Sequence, residues 1–400
     1  MTRFVQKPLP MSPENRPLVL HVMYRFDTGG LENGIVNLIN HMPAHAYRHA
    51  VLALTDVTDF RLRIRNPDVE FIALGKLPGQ GVWQFPKLFK LFKQLRPDIV
   101  HSRNIAALEA QAPAWAAGVP VRLHGEHGRD LSELDGGNTT YQQVRRLYKP
   151  FVHHYTALSA DLAIYLRDKV RVAPDAITQT CNGVDTERFH AARHGPQAIS
   201  GCPFNPAQHW LVGTVGRMTG IKDQVMLAQA FVRSLAIAPE LRHRMRLVMV
   251  GEGPLRAQAQ AVLDAAGVGA LAWLPGHRDD VADILRGLQA FALPSLGEGI
   301  SNVILEAMAS ALPVVATAVG GNADLVVEGQ TGRLVAAGDP DAMAHHMVVL
   351  ACDPERAREM GQAGRQRALS QFSLQVMVSV YQSVYDQQLR RVGSRMAQQA

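Results

Sequence analysis

The chain has 400 residues, 47% hydrophobic and 19% charged, a net charge of +6 and three cysteines. That length exceeds what one hydrophobic core organises, so two domains enclosing a cleft are expected; without polar low-complexity tracts, a disordered or fibrous chain is excluded. Cys181, Cys202 and Cys352 share no metal-ligand spacing and no Cys-x-x-Cys, which points to a reducing compartment.

From Leu18 onward, short apolar runs alternate with stretches of helical period, the pattern of a mostly parallel sheet wrapped by helices. Before it, Met1 to Arg16 lacks the apolar core of a signal peptide, and no later run approaches roughly 18 apolar residues, so a cytoplasmic location is expected. Strands are expected at Leu18 to Arg25, His49 to Leu54, Glu70 to Leu74, Ile99 to Ser102, Val121 to His124 and Tyr155 to Leu158. Helices between them include Leu31 to His41, Gln84 to Leu95 and Tyr141 to Lys149. Turn formers from 193 to 208 mark a linker. A second series follows: Trp210 to Gly216, Leu247 to Gly251, Leu271 to Leu274, Phe291 to Pro294, Pro313 to Thr317 and Gly332 to Val335. The expected division is an N-terminal extension (1–17), a first domain (18–192), the linker, a second domain (209–370) and a C-terminal helix (371–400) packing back toward the first domain.

In such sheets ligands gather at the carboxyl ends of the strands, and the motifs lie there. Pro294 to Ala309 reads as strand end, glycine loop and helix start, with Glu298 in the loop and Glu306 about one turn into the helix. Ser301 or Asn302 can cap this helix, leaving the amides of Gly299 to Val303 to face an anion. A carboxylate at Glu306 suits two ribose hydroxyls, and one at Glu298 suits a sugar ring. Earlier strand ends carry Gly216-Arg217-Met218 with Lys222, then Val250-Gly251-Glu252-Gly253, then Leu274-Pro275-Gly276-His277. In the first half, Gly29-Gly30-Leu31-Glu32 opens a helix, and Glu126, His127, Arg129 and Asp130 form a polar cluster past the fifth strand that is hard to explain as core.

In this order the motifs resemble retaining glycosyltransferases of family 4. The resemblance implies an α/β fold of the GT-B type, two Rossmann-like doubly wound domains facing across a cleft, with the acceptor-side domain first and the nucleotide-sugar domain second. It implies transfer of a sugar from a nucleoside-diphosphate sugar, a substrate and not a cofactor, to a hydroxyl acceptor, without a metal. Donor binding then falls to Gly29, Gly30, Gly216, Arg217, Lys222, Gly251, Gly276, Glu298, Gly299, Ile300, Ser301, Asn302 and Glu306. The reaction falls to His127, Arg217, Lys222 and Glu298, the two cations neutralising the departing diphosphate. Tyr24 to Asp27, His101 to Asn104 and His124 to Asp130 further resemble the subgroup that accompanies exosortase-linked exopolysaccharide loci, which implies a polysaccharide or lipid-linked acceptor.

Three competing readings are weighed against this one. Asp339-Pro340-Asp341 could be a metal site, but its setting suits a helix N-terminus. A GT-B nucleotide-sugar epimerase would use the same cleft without an acceptor, and a silent binding subunit would hold a donor without turnover. The basic excess lies in the N-terminal half. One place for it is the helix at 83–96, where Lys87, Lys90 and Lys93 flank Trp83, Phe85 and Phe89. That face either is solvated or rests on the anionic inner face of the cell membrane. No nucleic-acid-reading module accompanies the charge, so nucleic acid is not an expected partner.

Overall fold

The first apolar run, Leu18–Met23, is buried at all six positions and forms strand β1 of the computed structural model, which describes residues 16–77, 81–128, 136–193 and 195–399. Leu18, Leu20 and Val22 enter one core layer, while Val19 and Met23 enter layers on the opposite face. A strand apolar on both faces is stable only between two layers of helices. Around β1 lie β2 (Arg48–Ala53), β3 (Glu70–Ala73), β4 (Ile99–Arg103), β5 (Val121–Glu126), β6 (His154–Ala157) and β7 (Ile177–Gln179), ordered β3-β2-β1-β4-β5-β6-β7. A second sheet holds β8 (Trp210–Val215), β9 (Met245–Val250), β10 (Ala272–Gly276), β11 (Ala290–Leu293), β12 (Val314–Thr317) and β13 (Gly332–Val335), ordered β10-β9-β8-β11-β12-β13. The pairings are parallel in both. The strand order reverses between β1 and β4 and between β8 and β11, which opens a crevice at each set of carboxyl ends. This is the expected α/β fold with two Rossmann-like domains.

The closing helix, Leu374–Gln399, returns to the first domain. Leu374, Met377, Val378, Tyr381 and Tyr385 share a core with Val19, Leu38, Ile99 and Val121. Each large side chain buried there contributes about 1.5–3 kcal/mol. The chain therefore crosses between domains twice, and the two crossings touch. Val184 donates its amide to the Phe372 carbonyl at 2.8 Å, and Leu374 donates to the Val184 carbonyl at 3.2 Å. Gly183 is needed at this point, because a Cβ there would lie 2.8 Å from the Leu374 backbone.

The basic helix spans Phe85–Leu95, with Leu88 and Phe92 buried. Just before it, Val82 and Trp83 are 60% and 80% exposed. Lys87 departs from the expected free lysine face: its ammonium donates to the Leu74 carbonyl at 2.6 Å and ties the helix to the end of β3. Among the described residues, no helix is long and apolar enough to cross a membrane. Residues 1–15 of the extension, and Arg129, Asp130 and His194, lie outside the described residues.

Candidate active site

The two crevices merge into one cavity of about 750 Å³ between the domains. On its first-domain side, the helix Gly30–His41 starts directly after the loop that follows β1. Gly29 is the helix N-cap, and a Cβ on it would come within 2.2 Å of the Glu32 carboxylate folded over it. Burial pushes the Glu32 pKa up; a hydrogen bond to its own backbone opposes this, Asp27 adds to it, and Arg217 across the cleft opposes it.

Opposite stands the helix Asn302–Ala309, short and apolar on its buried side through Ile304, Leu305, Ala307 and Met308. Its start corrects the expected capping. Ser301 occupies the N-cap position, yet its hydroxyl makes no cap bond, is buried and has no protein partner. The Asn302 side chain is engaged elsewhere, accepting from Asn182 Nδ2 at 2.8 Å across the domain boundary. An uncapped helix N-terminus with a spare buried hydroxyl on the cavity wall is a site for an anion.

Beside it, Lys222 Nζ meets Glu298 Oε1 at 2.5 Å, and Ser295 donates to the same oxygen at 2.7 Å. The two side chains expected to face phosphate and sugar separately are thus paired with each other. Arg217 is exposed on the cavity rim and makes no ion pair among the described residues. Glu306 lines the cavity deeper in. Burial raises its pKa to about 7, against the pull of Arg188 and Arg63.

Gly29, Gly30, Gly216, Arg217, Lys222, Glu298, Ile300, Ser301, Asn302 and Glu306 all line this one cavity. Gly251 and Gly276 stand behind its wall. The Gly251 amide donates to the Gly276 carbonyl at 2.9 Å, and a Cβ on Gly251 would lie 1.9 Å from the Gly216 carbonyl. Their lack of a side chain lets the three strand-end turns stack. Gly299 is likewise pressed between domains, since a Cβ on it would lie 2.0 Å from the His127 carbonyl.

His127 itself is not on the cavity lining. Both ring nitrogens are buried without a hydrogen-bond partner, and burial, reinforced by Arg103, holds the imidazole neutral. Its neighbour Glu126 corrects the expected polar cluster: this carboxylate is core. Arg145 Nε reaches it at 2.7 Å and His124 Nε2 at 3.2 Å. Burial alone would raise its pKa, but the His124 hydrogen bond and the Arg145 charge outweigh it and hold the group at about 2. In the second domain, Asp339 caps the helix Pro340–Cys352 by accepting from the Ala342 amide at 2.9 Å, and Asp341 pairs with Arg233, so both acids of the Asp-x-Asp have structural partners.

Arg63, Arg188 and Asn182 were not singled out as site residues, yet the first two line the cavity and the third bridges to Asn302. Arg63 ends the one-turn 3-10 helix Asp59–Arg63, which has no apolar period to mark it, and only its position in the fold brings it to the cavity that Glu306 lines. Asn182 lies in an irregular stretch after β7, and its cross-domain partner is visible only in three dimensions.

The chain is matched by two family models, "Glycosyltransferase Family 4" over residues 28–188 and "Glycosyl transferases group 1" over residues 210–353. It is 35% identical over 302 residues to the alpha-maltose-1-phosphate synthase of Mycolicibacterium smegmatis, covering 69% of this chain and 75% of that one. It is 27% identical over 311 residues to an Escherichia coli UDP-Gal:alpha-D-GlcNAc-diphosphoundecaprenol alpha-1,3-galactosyltransferase, covering 74% and 77%. In fold it is similar to the Anabaena protein HepE in complex with UDP, with a TM-score of 0.75 at 18% identity over 92% of this chain and 99% of that one. With both halves matched by adjoining models and the motifs gathered on a single interdomain cavity, the chain belongs to the family 4 glycosyltransferases of GT-B fold.

Proposed function

We propose that this enzyme transfers a glycosyl unit from a nucleoside-diphosphate sugar to a hydroxyl acceptor with retention at the anomeric carbon and without a metal. The observation that carries this reading is the grouping, on one cavity wall, of Arg217, Lys222 and the uncapped start of the helix Asn302–Ala309. Three positive ends converge where a diphosphate would leave, and such charge stabilisation is the largest contribution available to a transfer of this kind. Lys222 exchanges Glu298 for a phosphate oxygen when the donor enters, which frees Glu298 to accept from hydroxyls of the donor sugar. The amides from Gly299 to Asn302 hold the same ligand, and Glu306 accepts from the ribose. His127, neutral and with both ring nitrogens unpartnered, lies on the reacting side. A phosphate oxygen of the leaving group takes the acceptor proton as the hydroxyl attacks from the same face, so the C–O bond to the donor phosphate breaks as the new glycosidic bond forms and the diphosphate departs with that proton.

The acceptor in this reading is a polysaccharide or a lipid-linked sugar in exopolysaccharide synthesis, within the exosortase-associated subgroup. The E. coli relative's name supports it, since that enzyme acts on a GlcNAc-diphosphoundecaprenol. A cytoplasmic enzyme working on such a lipid would meet the inner face of the membrane. Trp83, Phe89, Lys90 and Lys93 offer an apolar and cationic surface for that contact. Co-sedimentation with phosphatidylglycerol vesicles, lost on Trp83→Ser and absent with phosphatidylcholine, is the expected result; equal binding by the variant removes this part of the proposal.

The donor assignment is tested by replacing Arg217 with Ala and Glu306 with Gln and measuring donor binding and turnover. Both variants should be impaired, and unchanged values in both would sink it. Product NMR then reads the anomeric configuration, where inversion would refute retention.

A further inference from the structure

Strand β4 ends at Arg103, and the next residue, Asn104, opens the short helix Asn104–Leu108; the transfer reaction as described uses neither. Asn104 has φ +56, in the left-handed region that costs most side chains about 1–2 kcal/mol and that Asn tolerates best after Gly. The bend turns its side chain toward the end of the neighbouring strand. There its Oδ1 accepts from the His127 amide at 2.8 Å. This bond fixes the backbone of the first residue after β5, and two things follow from where that backbone lies.

The first is the imidazole. Its Nε2 fits beside Gly125, where a Cβ would lie 2.9 Å from it and 2.8 Å from Thr156 Oγ1, so the ring has little room to move sideways. With neither ring nitrogen hydrogen-bonded to protein, no polar contact orients the ring, and apart from this packing its position comes from the backbone below it. The second is the donor loop. The His127 carbonyl and Gly128 Cα form the surface against which Gly299 is seated, at the 2.0 Å and 3.1 Å that a Gly299 Cβ would have from them. Imidazole and glycine loop are therefore registered from one residue, His127, through its amide on one side and its carbonyl on the other.

We infer that Asn104 is a positioning residue for transfer: through the His127 amide it sets the imidazole and the seat of the donor glycine loop together. This rests on the reading of His127 as lying on the reacting side. A displacement of about 1 Å at such a place costs up to about 100-fold in rate.

The test uses the full chain with Asn104→Ala, Asn104→Gly and Asn104→Asp, and His127→Ala as reference. Gly keeps the left-handed backbone but loses the hydrogen bond, whereas Asp keeps both. UDP-, GDP- and ADP-glucose are ranked by thermal shift, and the best is followed for nucleoside diphosphate release; His127 ring resonances are recorded by NMR on each Asn104 variant without ligand. The expected result is a fall in kcat of about 10- to 100-fold for Ala and Gly with a smaller, several-fold rise in donor KM, rescue of both by Asp to within about threefold, and displaced His127 resonances in Ala and Gly only. Unmoved His127 resonances in Asn104→Gly, or an Asp variant as impaired as Ala, would overturn the inference. If no glucose donor turns over, the NMR arm alone decides it. A His127→Ala enzyme with wild-type turnover would instead overturn the reading of His127, a separate failure.

Discussion

Replacing Glu306 with Gln should stabilise the protein and weaken the donor at the same time. Burial raises this carboxyl from 4.5 to about 7, so between those values the native state holds a proton that the unfolded chain has released. Wild-type stability must then fall as pH rises through that window. At 1.36 kcal/mol per unit the full cost is about 3 kcal/mol, and the residual solvent contact of Glu306 reduces it to about 2 kcal/mol. Glutamine keeps the shape and never ionises. At pH 8 the variant should therefore melt on the order of 5 °C above wild type, with the difference closing near pH 5. A ribose that loses a charged acceptor loses about 1.5–3 kcal/mol, or about 10- to 100-fold in donor affinity. Differential scanning fluorimetry at several pH values and calorimetric titration with UDP read the two effects. A variant less stable than wild type at pH 8, or one with unchanged nucleotide affinity, would refute the reasoning.

Further outcomes follow from three other contacts. Asp339→Ala should cost about 1 kcal/mol in urea denaturation, through loss of the cap on Pro340–Cys352, and leave turnover unchanged; loss of turnover would revive a metal role for the Asp-x-Asp. Glu126→Ala leaves Arg145 buried without its carboxylate and should cost about 3–5 kcal/mol. In the wild type the same ion pair stabilises above the ordinary carboxylate pKa and is lost as pH falls from about 4.5 toward 2, so acid titration of Glu126→Gln should show a shallower stability loss than wild type. Gly299→Ala places a methyl 2.0 Å from the His127 carbonyl and should cost about 1–3 kcal/mol and most of the turnover, measured by melting and by nucleotide release.

Long apolar runs made most of the sheet legible from residues alone: β1, β8 and β13 begin where the pattern placed them. β7 was not, because Ile177-Thr178-Gln179 is a three-residue edge strand with no apolar run to mark it. The grouping of Arg217, Lys222, Glu298 and Glu306 was readable because each follows a strand end, and strand ends in this fold point into one crevice. The identities of their partners were not. Lys222 pairing with Glu298, Ser301 left uncapped and Glu126 buried against Arg145 each depend on which elements pack together, and local spacing does not specify that. The same holds for Arg63 and Arg188, which line the cavity with Glu306 from the end of a short 3-10 helix and from the approach to the linker.

The most direct test of the cleft as a nucleotide-sugar site is calorimetric titration of the wild type and Arg217→Ala with UDP, GDP and ADP. Saturable binding of one nucleoside diphosphate by the wild type, weakened at least about tenfold in the variant, is the expected result. Binding of none of the three, or equal affinity in both proteins, would contradict it.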